Sequence, residues 1–207
     1  MSKKYEFTDE TIKVDGHTLH RIRAVRCFSD VKAGDLGGWI EKEHNLSHED
    51  HAWVYDEVKV YGNARVIDDA RVWGCAKVYD NALIEGRARV YNHAQVYNDA
   101  SVSRNAEVGG NAMVYGNANI SGGTEITGDA EVCGHADYIT FKNFWSSCRY
   151  FTWTRSNNMW SVGCFYGTGE ELIKKAYKDS EKSGREYERV VRYVESILED
   201  EKKGGEG

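Results

Sequence analysis

From Ala52 to Ala136 the apolar and polar positions of the chain recur every six residues, without an insertion or a slip. One slot of the hexad is alanine throughout, except where Val58 and Thr124 stand in for it. Two residues after that slot, from Val54 to Val132, comes valine or isoleucine every time. The residues before it are often Gly-Asn, Asp-Asp, Asp-Asn, Asn-Asp or Gly-Asp. A repeat of fixed period is read ahead of local propensity, because it dictates the architecture. Neither an amphipathic helix nor an alternating strand has a period of six.

The hexad Val60-Tyr61-Gly62-Asn63-Ala64-Arg65 reads as one short strand and one corner. The β-branched residue favours extended backbone and points inward, so its neighbours on both sides point outward. Gly, Asn and Asp tolerate the left-handed backbone that a corner needs. Alanine is small enough to tuck inside the bend. Three such units close a triangular coil of eighteen residues, each strand stacked on the strand one coil below. Parallel stacking satisfies the backbone along the axis and buries a column of Val, Ile and Ala. The absence of proline fits a long hydrogen-bonded ladder.

This eighteen-residue coil resembles the left-handed parallel β-helix of the hexapeptide-repeat family, over 52–137. The chain departs from the family pattern at the second position, where tyrosine is frequent. The left hand is implied by the resemblance alone, since crossovers between parallel strands are usually right-handed. The expected fold is an all-β left-handed parallel β-helix of about five to six coils, flanked by an N-terminal hairpin cap and a small C-terminal α+β domain. The expected division is 1–45 for the cap, 46–137 for the β-helix, 138–202 for the α+β domain and 203–207 for a disordered tail.

Folding the hexads into threes assigns each outward residue to a face. The first face carries Trp53 and Tyr55, then Arg71 and Trp73, then Arg89 and Tyr91, then Glu107 and Gly109, then Glu125 and Thr127. The second carries Lys59, Lys77, Gln95 and Met113 beside a ladder of Tyr61, Tyr79, Tyr97 and Tyr115. The third, with Arg65, Ser101, Ser103, Asn119 and Ser121, is the most polar. Aromatic faces on a prism in water point to an interface. Hexapeptide-repeat proteins are typically trimers, so the resemblance implies a homotrimer with the tyrosine ladder at the seam.

Outside the repeat, Ile12 to Val14 and Leu19 to Val25 read as a hairpin through Asp15-Gly16. Ile40 and Leu46 already share the phase of Ala52, so the coil can begin near residue 36 or 40. After Ala136 the phase is lost in an aromatic-rich stretch, read mainly as a core. It holds two expected strands, Arg149 to Thr154 and Trp160 to Tyr166. Thr168 caps an expected helix to about Lys178, and a second is expected from about Arg185 to Glu199.

Composition narrows the function. A net charge of −6 over 207 residues argues against general nucleic-acid binding. No apolar run is long enough to span a bilayer and no leader opens the chain, so a cytoplasmic protein without membrane association is expected. Cys27, Cys75, Cys133, Cys148 and Cys164 form no CxxC pair and read as free thiols. Cys148 and Cys164 flank a hairpin and are the pair that could approach.

The uninterrupted hexads lack the extruded loop that acyltransferases of this fold normally carry, and His93 and His135 sit at corners. His44, His48 and His51 cluster beside Glu43, Glu49 and Asp50, a spacing that suits a metal only if they converge. Neither a catalytic residue, a metal nor a cofactor is assigned. Trp53, Tyr55, Arg71, Trp73, Arg89 and Tyr91 instead place guanidinium groups among flat rings, an arrangement suited to a phosphorylated nucleotide. Gly34-Asp35-Leu36-Gly37-Gly38-Trp39-Ile40 before the hexads and Val162-Gly163-Cys164-Phe165-Tyr166-Gly167-Thr168 after them are similar to phage and prophage hexapeptide-repeat proteins. That resemblance implies a non-enzymatic inhibitor of host defence that sequesters a nucleotide-like immune signal. The alternatives are an inhibitor that binds a host defence protein directly, an acyltransferase using acetyl coenzyme A, and a passive virion component.

Overall fold

The computed structural model describes residues 3–145 and 148–204. Two long strands, β1 (Tyr5–Val14) and β2 (His17–Ala24), form the N-terminal hairpin. Asp15 and Gly16 both take positive φ, at 49° and 86°, as a two-residue turn between twisted strands requires. Strand β3 (Leu36–Ile40) pairs antiparallel with β2 and parallel with the rung Lys59–Val60. Trp39 and Ile40 thus join the ladder of coils, paired with Lys59 and Val60.

Fourteen two-residue strands follow, β4 (Trp53–Val54) to β17 (Glu131–Val132). They stack into three parallel sheets and make a β-helix of about five turns. Partners lie eighteen residues apart, as Arg71 to Arg89 and Val72 to Val90. The inner valines, isoleucines and alanines from Val54 to Val132 are essentially inaccessible. Corners carry the positive φ that the hexad foresees, in Asp56, Asp68, Asp80, Asn92, Asn98 and seven glycines of the repeat from Gly62 to Gly128 among others. Gly110 needs to be glycine twice over: its φ is +64°, and a Cβ there would lie 2.7 Å from the backbone of Gly128.

A stack of parallel coils leaves different orphans at its two ends. Along the rungs the N–H groups donate to carbonyls of the next coil, as Trp53 to Ala70 at 3.1 Å. Carbonyls are thus unpaired at the first coil and N–H groups at the last, and either set must find partners. At the first end the donors are Lys4, whose Nζ reaches the carbonyl of Ala52 at 2.7 Å, and Asn45, whose Nδ2 reaches that of Ala64 at 2.8 Å. At the last end the acceptors are Thr152 Oγ1 for Glu125, Ser156 Oγ for Glu131 and Asp137 Oδ2 for Cys133 and Gly134, at 2.7–3.3 Å.

The C-terminal region packs an antiparallel sheet on the last coil. Its strands are β18 (Tyr138–Lys142), β19 (Tyr150–Thr154), β20 (Met159–Val162) and β21 (Phe165–Gly167). The expected pair of strands is thus a sheet of four, because Val162 to Phe165 turns back on itself at Gly163 and Tyr138 to Lys142 joins the other edge. Helices α1 (Gly169–Asp179) and α2 (Glu181–Gly204) cover it. Their core holds Phe151, Trp153, Trp160, Leu172, Tyr187, Val191 and Val194. Thr168 caps α1 by accepting from the N–H of Glu171 at 3.3 Å.

Helix α2 starts at Glu181, four residues before the expected Arg185, because Ser180 Oγ accepts the N–H of Ser183 at 3.1 Å. Gly184 sits in its first turns with the Tyr177 ring directly over it, where a Cβ would clash at 2.2 Å. The helix also runs on to Gly204, so residues 203 and 204 are not part of a disordered tail; the double contact of Arg155 with Glu201 at 2.7 and 3.1 Å holds that end. The remainder of the expected tail, 205–207, lies outside the described residues. All five cysteines are free and exposed. No helix among the described residues is long and apolar enough to cross a membrane.

Candidate functional site

Strand register turns sequence spacing into columns. On the first face Trp53, Arg71, Arg89, Glu107 and Glu125 lie on successive rungs of one column. Tyr55, Trp73, Tyr91 and Gly109 occupy the neighbouring column, two residues further along each rung. Rungs are about 4.8 Å apart in any sheet, so two arginines and then two glutamates sit directly against each other. Like charges in register repel, and each is relieved separately. Arg89 Nη1 meets Glu107 Oε1 at 2.9 Å. Burial, reinforced by Glu107, raises the Glu125 carboxyl above the usual range.

Arg71 finds its carboxylate elsewhere. Its Nη1 lies 2.8 Å from Asp30 and 3.0 Å from the Tyr55 hydroxyl, and its Nη2 donates to Ser29 Oγ at 2.7 Å. Ser29 and Asp30 belong to a loop between β2 and β3, held down by Phe28 stacking edge-on against Trp53 at 5.3 Å. The Tyr55 hydroxyl donates to Asp30 at 3.2 Å. Burial pushes Tyr55 up to about 12, with Arg71 opposing and Asp30 reinforcing, so it stays a neutral donor near pH 7. Burial opposes ionisation of Asp30, but its own backbone hydrogen bond, Arg71 and Tyr55 together hold its carboxyl below the usual range.

The nucleotide-type residues therefore part company. Tyr55, Arg71, Trp73 and Arg89 line one cleft of about 440 Å³, with Asp30 and Asp56 as further walls. Tyr91 stands behind it, stacked on Trp73 at 4.9 Å and 9°. Trp53 is 1 % exposed under Phe28 and Tyr5 and is closed to any ligand. Its position in the hexad equals that of Arg71; only the loop over it makes the difference.

The aromatic columns show one break. Tyr61, Tyr79, Tyr97 and Tyr115 stack in sequence at 5.1, 4.9 and 5.2 Å, within 6° of parallel. Trp73 and Tyr91 stack likewise. Tyr55 and Trp73, also one rung apart, form no ring contact, because the Tyr55 hydroxyl is drawn to Asp30 and Arg71. Among the described residues Tyr91 is the ring that stacks on Trp73, and Trp73 and Tyr55 both line the cleft. On the second face, Tyr61 is buried by the chain's own hairpin, with its hydroxyl on Asp15 at 2.8 Å and its ring by His17 at 5.0 Å. Tyr79, Tyr97 and Tyr115 remain half-buried at the surface.

The three clustered histidines diverge. His44 and His48 line one hollow with Glu43 and Glu49. His48 lies flat on Tyr5 at 4.2 Å and accepts the N–H of Lys4. His51 faces a different hollow, its Nδ1 2.8 Å from Asp69. A carboxylate only accepts, so Nδ1 is the donor of this hydrogen bond. Among the described residues no group of three or more His, Cys, Asp or Glu is arranged to hold a metal. The His51–Asp69 pair was missed in the sequence although it obeys the eighteen-residue rule.

No protein-family model matches the chain. A stretch of 47 residues, 22 % of the chain, is 43 % identical to part of an Escherichia coli K12 protein named uncharacterized acetyltransferase YdcK. The chain covers 14 % of the length of that protein.

Proposed function

We propose that the protein is a non-enzymatic binder that sequesters a nucleotide-like anion on its first face. The observation that carries this reading is the break in the aromatic column beside paired arginines. A planar base can stack on Trp73, where base–aromatic stacking contributes about 1–3 kcal/mol, while Arg71 and Arg89 meet its phosphate. The phage-type role, blocking host defence by removing a nucleotide signal, follows from the resemblance of the chain's two end motifs. We further propose a homotrimer with Tyr79, Tyr97 and Tyr115 at the seam; Tyr61 is already occupied by its own hairpin.

The test is thermal stabilisation of the purified chain by a panel of mono- and dinucleotides, followed by recovery of the bound compound after denaturation. Intact recovery, and loss of the shift in Trp73→Ala and in Arg89→Ala, are expected. A ligand recovered cleaved, or a shift that survives both substitutions, overturns the reading. Light scattering at micromolar concentration gives the trimer; a monomer removes the seam.

A second reading, acyl transfer, has specific support in the 47-residue similarity to a protein named as an acetyltransferase and in the His51–Asp69 pair. An oriented imidazole is the usual general base for such chemistry. Turnover of acetyl coenzyme A that His51→Asn abolishes would establish it in place of sequestration.

A further inference from the structure

Beside the Trp73 cleft lies a second hollow of about 350 Å³, lined by Ser29, His51, Asp69, Arg71, Arg87 and Arg89. The two share Arg71 and Arg89 as a common wall. The second hollow sets three guanidinium groups against one carboxylate in a chain whose net charge is −6. Arg71 and Arg89 stand in register on adjacent rungs, the arrangement in which like charges repel most. Asp30 relieves the first and Glu107 the second. Arg87 is exposed at the corner just before Arg89, and its side chain has no ion pair among the described residues. The hollow also offers the Ser29 hydroxyl and the His51 imidazole, which Asp69 holds in place at 2.8 Å.

We propose that this hollow is a diphosphate subsite, filled by the phosphate end of a ligand whose ring lies on Trp73, and that Asp30 is its built-in competitor. The proposal rests on the reading of the first face as a ligand site and adds the class of ligand: a nucleoside diphosphate rather than a nucleoside or a monoester. Guanidinium groups match phosphate oxygens two at a time. A single phosphate can be shared by Arg71 and Arg89 from the common wall. The additional, unpaired Arg87 provides for a second. An anion settling on Arg71 takes the place of the Asp30 carboxylate, which frees the Ser29 hydroxyl to donate to phosphate instead of accepting from Arg71. The ligand thus exchanges one charge-assisted contact for another at Arg71, and gains a wholly new one at Arg87.

The experiment is calorimetric titration of the full chain with inorganic pyrophosphate, adenosine and ADP, at low and at physiological salt. Pyrophosphate and ADP are expected to bind, with affinity falling as salt rises. Arg87→Ala should weaken both by roughly ten- to a hundred-fold, the range for loss of a charged hydrogen bond. Asp30→Asn should strengthen both by about five-fold or more, because the competitor loses its charge while keeping its shape. Arg65→Ala, which removes the same charge from the third face, should match the wild type. An Arg65→Ala effect equal to that of Arg87→Ala overturns the subsite, since only net charge would then matter. ADP binding that Trp73→Ala abolishes and Arg87→Ala leaves unchanged also overturns the subsite, but leaves the ring reading standing. Pyrophosphate binding that needs Arg87, with no gain for ADP, upholds the subsite and overturns the ring reading. If no probe binds, both fall.

Discussion

Trp53 and Trp73 are both outward residues of the first face, yet they should fail in opposite ways when removed. Trp53 is 1 % exposed and packs against Phe28 at 5.3 Å and Tyr5 at 6.2 Å. A buried aromatic side chain removes about 150–250 Å² from water. At roughly 25 cal/mol per Å² that is about 4–6 kcal/mol, and measured losses for buried Trp→Ala changes run at about 3–5 kcal/mol. The first coil cannot collapse into the gap, because Ala52, Val54 and Ile22 around it are themselves fully packed. Trp53→Ala should therefore cost about 4 kcal/mol. Trp73, half-buried and stacked on one ring, should cost about 1.5 kcal/mol or less and lose the ligand instead.

A solenoid does not unfold in one step as reliably as a compact domain, so a single midpoint would blur the comparison. Hydrogen exchange resolves it. In Trp53→Ala, amides of the hairpin, of β3 and of the first coil should lose protection, while those beyond about residue 95 keep theirs. In Trp73→Ala the protection pattern should stay close to wild type. A Trp53→Ala chain that loses under about 1 kcal/mol, or one whose protection falls evenly along the axis, would refute the claim that the loop closes this residue off from solvent.

Other expectations concern the ends and corners. Lys4 holds its proton only to about 8 in the folded chain against an ordinary 10.5, through burial first and Arg26 second, with Asp50 opposing. Between those pH values the unfolded chain binds more proton, so stability should rise with pH by about 3 kcal/mol in that window and Lys4→Met should flatten the rise. Above pH 10 the slope should reverse, because burial keeps the Tyr5 and Tyr61 hydroxyls protonated past the point where the unfolded chain ionises. A denaturant series from pH 7 to 11 checks both signs. Gly110→Ala should cost about 2 kcal/mol, since it combines a positive φ with a backbone clash; a loss no greater than that of Asn98→Ala, at φ 55°, would mean the corner simply opens. Thr168→Ala should cost about 1 kcal/mol in thermal or denaturant melts, with the loss confined to the helical domain.

The hexad made the prism legible because a period of six leaves one solution: short strands, corners and a coil of three. It carried the columns as well. Arg89 with Glu107 and His51 with Asp69 are each eighteen residues apart and could be read off by counting. The ends were less legible for a physical reason. Strand β1 is largely polar from Glu6 to Glu10, so its alternation is faint, and it is strand pairing with β2 that makes it a strand. The start of α2 was hidden by Gly184, whose poor helix propensity is offset by the Tyr177 ring that occupies the space of its missing side chain.

At the site the limit is sharper. Counting by eighteen treats every residue of a column alike, so Trp53 and Arg71 looked equally open. What separates them is a loop from outside the repeat: Phe28 closes over Trp53, and Asp30, forty-one residues before Arg71, takes that arginine's charge. The same loop draws the Tyr55 hydroxyl to Asp30, beside Trp73 in the cleft. The repeat supplies the arginines and the rings at fixed spacing; the loop decides which of them a ligand can reach. A change of specificity should therefore be sought first in Phe28, Ser29 and Asp30. Replacing Ser29 and Asp30 leaves every rung pairing of the prism in place, whereas replacing Phe28 also uncovers Trp53 on the first rung, and altering a rung disturbs the coil above and the coil below it.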